Sequence, residues 1–76
     1  MIHELETVVL TRDVPEHGLR KGDVGAVVHP YADGEGFEVE FVTAEGRTVA
    51  VLTLMESDVR TMGRSEILHV RDLASA

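Results

Sequence analysis

The chain has no cysteine and no tryptophan, one tyrosine (Tyr31) and two phenylalanines (Phe37 and Phe41). Without cysteine, neither a disulfide staple nor a thiolate metal centre is open to it. The fold must rest on its apolar interior and on whatever burial a second chain adds. Few aromatic rings means few platforms on which unpaired bases can stack. Cations are scarce as well: seven Lys and Arg stand against fourteen Asp and Glu, a formal net charge of −7. Binding to nucleic acid or to acidic lipid rests on cations, so this balance disfavours both. No apolar run reaches the ~20 residues of a membrane span, and MIHELETVVL lacks the cationic-then-apolar layout of a secretory leader. The expected location is the cytoplasm. Internal repeats and low-complexity tracts are also missing.

What is present is a chain of 76 residues, 43% hydrophobic, which reads as a single folded domain over residues 1–76. A domain of this size buries only about 60% of the surface its unfolded chain exposes, so each core residue matters. Short β-branched runs separated by glycine set its organisation. ETVVLT (6–11) predicts a first strand, and VGAVVHPY from Val24 a second. FEVEFVT (37–43) alternates, with Phe37, Val39 and Phe41 on one side and Glu38, Glu40 and Val42 on the other, which predicts a half-buried third strand. TVAVLTLM (48–55) reads as a fourth strand and RSEILHV (64–70) as a fifth. Tight turns are predicted at Asp33-Gly34 and Glu45-Gly46, where residues that tolerate positive φ are available. ESDVRT predicts one 3-10 turn capped by Ser57 or Asp58, and RDLASA a helical turn at most. The fold class is therefore all-β, a small SH3-like barrel of about five antiparallel strands with a short 3-10 or helical turn.

The segment DVPEHGLRKGDVGAVVHPY (13–31) concentrates special residues: both prolines, His17 and His29, Arg20 and Lys21, and Gly18, Gly22 and Gly25. As an elbow, it uses Pro15 for stiffness, Gly18 for a left-handed conformation, and Gly22 with Gly25 for a sharp turn and a close pass over a neighbouring strand. As a phosphate cradle it lacks the helix that normally follows, and Asp23 would repel an anion. The elbow reading is preferred. GLRKGDVGAVVHPY resembles the glycine-bracketed strand of KOW-type modules and of the nitrile hydratase β-subunit. A longer likeness runs through ELETVVLTRDVPEHGLRKGDVGAVVHPY, YADGEGFEVEFVTAEGRTVAVLTL and SDVR…EILHVRDL, which resemble the domain of unknown function 4926 family of small bacterial proteins. The resemblance implies an SH3-like β-barrel and no known activity. It also implies a cytoplasmic protein that acts with a neighbouring gene's product, in the manner of an antitoxin or immunity partner.

Residue chemistry does not point to catalysis. Ser57, Ser65 and Ser75 sit on no strand-to-helix elbow, Glu38 and Glu40 lie on the solvated side of their strand, and a small barrel fills its own interior. No two of His3, His17, His29 and His69 have the spacing of a local metal site, although His29 and His69 could meet across strands beside Glu66 or Glu38. No metal, cofactor or small-molecule substrate is expected. The strongest positive signal is TVAVLTLM, which is apolar on both faces where a thin barrel wall buries only one. Either the C-terminal segment Ile67–Leu73 covers the outer face, or another chain does. With Val49, Val51 and Thr53 inward, the outer set is Ala50, Leu52 and Leu54; the opposite register is equally open. Glu38, Glu40 and Glu45 would form an acidic edge to this patch. The expected function is thus a non-enzymatic protein-interaction module. Its partner-binding residues would be Ala50, Leu52, Leu54, Glu38, Glu40 and Glu45, and its partner a second copy or a basic protein. One alternative is an RNA- or ribosome-associated module using Arg20, Lys21 and Tyr31; another is an accessory domain of an enzyme complex.

Overall fold

In the computed structural model, residues 2–73 are described, and Ser75 and the end of the RDLASA segment lie outside them. Five strands form one antiparallel sheet: β1 (Thr7–Leu10), β2 (Val24–Pro30), β3 (Gly36–Val42), β4 (Thr48–Met55) and β5 (Val59–Thr61), in the spatial order β4-β3-β2-β1-β5. Two 3-10 turns, Pro15–His17 and Glu56–Asp58, complete the regular structure among the described residues. The all-β expectation of about five antiparallel strands with a short 3-10 turn holds.

Alternation along the strands explains the core. Phe37, Val39 and Phe41 turn inward from β3 and meet Val27 of β2, Val8 and Leu10 of β1, Leu54 of β4 and Val59 of β5. The β2–β3 connection closes at Asp33-Gly34, where Gly34 has φ +74° and the Asp33 carboxylate accepts the Glu35 N–H. The β3–β4 connection closes on Thr43, whose N–H donates to Arg47 O and whose carbonyl accepts Gly46 N–H.

The elbow between β1 and β2 performs the structural work assigned to it. Val14 and Leu19 form a two-residue bridge, exchange backbone hydrogen bonds and bury both side chains in the core. Gly18 turns that hairpin in the left-handed region at φ +70°. Gly25 serves by having no side chain: a Cβ there would lie 2.8 Å from both Phe41 Cε2 and Val39 Cγ1, nearer than side chains pack.

The fifth strand is a correction. RSEILHV (64–70) forms no strand; Val59–Thr61 does, pairing Leu10↔Val59, Val9↔Arg60 and Val8↔Thr61. β1 has two edges, one held by β2 and the other by β5, so the place beside β1 that residues 64–70 would have taken belongs to Val59–Thr61. The turn expected in ESDVRT is present, but its cap runs backwards. The Asp58 carboxylate accepts the Met55 N–H at 2.9 Å and also holds Arg12 Nε at 2.8 Å. The Arg12 guanidinium, and then the Met55 amide, keep that carboxyl below its usual range. Thr11 ties the same turn to the end of β1 through Ser57 O and Asp58 O.

Candidate functional site

The apolar flanks of β4 divide differently from the expected patch. Ala50, Leu52 and Leu54 stand opposite Phe41, Val39 and Phe37 and face inward. Leu54 is only 3% exposed, and Ala50 and Leu52 pack against the core. These three are lining residues of the interior rather than an outward patch. The reason is a bulge. Val42 pairs with Thr48, yet the next pair is Phe41 with Ala50. A regular hairpin on the same turn would set Phe41 opposite Val49, putting Val51 and Thr53 inside. One extra residue on β4 moves every later side chain to the other face.

The outward flank consists of Val51 (49% exposed), Thr53 and Met55 (48% exposed). Beside it, on the outer face of β3, Glu40 pairs with Val51 and Glu38 with Thr53. The Thr53 and Tyr31 hydroxyls both donate to Glu38 Oε2, the latter at 2.7 Å, and the Thr48 hydroxyl donates to Glu40 Oε2 at 2.7 Å. Those two hydroxyls, Thr53 first, hold the Glu38 carboxyl below its ordinary range, with a small contribution from His29. The His29 ring packs edge-on against Tyr31 at 5.5 Å. The glutamates are therefore held in position across the sheet. Glu45 lies beyond them on the exposed β3–β4 turn. β4 is also a terminal strand of the sheet, so its second edge pairs with no described strand.

The C-terminal segment lies at the other end of the strand order, beside β1 and β5. Val9, Gly22, Val24, Arg60 and Met62 share an open cleft with Glu66–His69. Two clasps hold the segment. Arg60 forms a bidentate pair with Glu66, at 2.8 and 2.7 Å, and Glu66 also accepts the Gly63 N–H. Further on, Arg71 grips both oxygens of Asp23, at 2.9 and 2.6 Å, and donates to Gly18 O at 2.9 Å. Between the clasps Ile67 is 90%, Leu68 65% and Val70 88% exposed. The cover anticipated from Ile67–Leu73 is thus not over β4.

Among the described residues the remaining candidate groups lie apart from one another. In the elbow, Arg20 N–H donates to Asp23 Oδ2 and Lys21 N–H to Asp13 Oδ1, both at 2.8 Å, so the chain's own carboxylates take the amides an anion would need. Among the described residues no group of three or more His, Asp or Glu is placed to hold a metal ion. His29 faces Glu38 on the outer sheet face, while His69 lies in the cleft beside β1 and β5. Arg20 and Lys21 precede β2 and Tyr31 follows it, so a seven-residue strand of roughly 23 Å separates the residues of the proposed RNA contact.

Of the two registers open to β4 in the sequence, the bulge selects the one that exposes Val51–Met55. In residues 64–70 the adjacent pair Ile67-Leu68 breaks a two-residue alternation, a signal in the sequence against a strand there. Compared with known proteins, the chain matches a family model described as a domain of unknown function (DUF4926) over residues 4–61. The match spans all five strands and ends at the last residue of β5. None of the curated proteins and none of the solved structures matches the chain.

Proposed function

We propose that this chain, which belongs to the DUF4926 family, is a non-enzymatic protein-interaction module that docks a cationic protein segment along the outer flank and free edge of β4. The observation that carries this reading is the combination of half-exposed Val51 and Met55 with the positioned carboxylates of Glu38 and Glu40 on a terminal strand. Exposed apolar side chains favour association, and an unpaired strand edge offers backbone groups to an extended partner. The carboxylates select for positive charge and raise the encounter rate. The strand order, the long β1–β2 excursion and the 3-10 turn before β5 agree with an SH3-like barrel, and we read the fold so.

The test places a photoreactive side chain at position 51 in the native cell. A discrete covalent adduct with a cationic segment, of a second copy or of another protein, is expected, and Glu38→Lys/Glu40→Lys should abolish it. No adduct at position 51, or one that survives charge reversal, refutes the assignment.

A further inference from the structure

Two features of the molecule answer each other. Residues 67–70 are held out between the Arg60–Glu66 and Arg71–Asp23 clasps, with Ile67 and Val70 about nine-tenths exposed. The amides of Ile67, Leu68, His69 and Val70 donate no hydrogen bond to any described residue. The sheet, at β4, has an edge that pairs with no described strand. We infer that residues 67–70 of a second copy add as a short strand to the free edge of β4, reciprocally, making a two-fold dimer. This rests on the reading of β4 as a docking edge and names its occupant.

Charge supports the pairing. Residues 33–56, from the β2–β3 turn through β4 and just beyond, carry six carboxylates and one arginine. Residues 60–71 carry three arginines and one carboxylate, a net positive sign that suits that hairpin. Arg64 and His69 are exposed and in no salt bridge, and both are free to meet Glu38 or Glu40 of the other copy. Length supports it too: β1 has four residues and β5 three, so a four-residue strand is of the size this sheet already accepts. One such strand falls well short of the roughly 1,200 Å² that a stable interface buries. A two-fold arrangement lays down two. The segment follows residue 61, where the family match ends, so the dimer would depend on residues outside the matched region.

Sedimentation of the full chain across a concentration series tests this. A monomer–dimer equilibrium is expected, with the dissociation constant raised at least about tenfold by Ile67→Glu/Val70→Glu. Both positions are solvent-exposed, so the monomer should keep its circular dichroism. Because the chain has no cysteine, mixing the single variants Thr53→Cys and Ile67→Cys should give a mixed disulfide in excess of either self-disulfide. A monomer at every concentration, a dimer indifferent to Ile67→Glu/Val70→Glu, or no excess of mixed disulfide overturns the proposal. Should the chain prove monomeric while the position-51 adduct still forms and depends on charge, β4 docks another protein and only the reciprocal dimer falls.

Discussion

Releasing the Arg71–Asp23 clasp should loosen the whole domain. The pair spans 48 residues of sequence and joins the C-terminal segment to the start of β2, with the side chains only 24% and 18% exposed. Exposed ion pairs contribute under about 1 kcal/mol, while breaking a fully buried one by removing a partner costs about 3–5 kcal/mol. Two charge-assisted bonds and the bond to Gly18 O place this pair between those limits. Arg71 Nη1 is buried with no partner, which offsets part of the gain. Arg71→Ala should therefore destabilise by about 2 kcal/mol. For a domain of this size the total is only about 4–11 kcal/mol, so the melting temperature should fall by about 8–16 °C. A double-mutant cycle with Asp23→Ala, read by thermal and urea unfolding, separates the pair from the bond Asp23 makes to Arg20 N–H and should give a coupling of about 1–2 kcal/mol.

The same pair sets a pH dependence. Burial pushes the Asp23 carboxyl up, but Arg71 and the Arg20 amide together outweigh it and hold the carboxyl below its usual value. A carboxyl lowered in the folded state stabilises fully above its unfolded value, near pH 4, and loses that stabilisation as the pH drops through the folded value. The wild type should thus lose stability below about pH 4 more steeply than Asp23→Asn does. A coupling under about 0.3 kcal/mol, or identical acid limbs in the two proteins, would refute the clasp.

Three further outcomes follow from the same geometry. Leu54→Ala, in the core, should cost about 2–5 kcal/mol in chemical unfolding, and Val51→Ala on the outer flank less than about 1 kcal/mol; the reverse ranking would mean that the register of β4 is wrong. Gly25→Ala forces a methyl group to 2.8 Å from Phe41 and Val39 and 3.0 Å from Glu40 O, so it should destabilise by about 1–3 kcal/mol, and a neutral result in a thermal melt would contradict the close packing of β2 on β3. The Glu66 carboxyl, held at about 2 by the Arg60 guanidinium and the Gly63 amide, should titrate in NMR well below the other glutamates and move up toward the ordinary range in Arg60→Ala. A Glu66 midpoint that does not respond to Arg60→Ala would remove the first clasp.

Local chemistry in the chain was enough to specify the all-β class, four strands within a residue or two, both tight turns and the elbow between β1 and β2. Each of these follows from short-range rules: alternation in FEVEF, positive φ at Gly34 and Gly46, and a missing side chain at Gly25. The face that β4 shows to water was not specified, because TVAVLTLM is apolar at both parities and a single bulge opposite Phe41 and Val42 selects between them. Nor was the fate of residues 64–70 settled by their strand-like composition. A strand needs a free edge as well as the right residues, and in this sheet the edge beside β1 is already taken by Val59–Thr61. Register and edge occupancy are relations between segments far apart in the chain, so only the assembled sheet decides them.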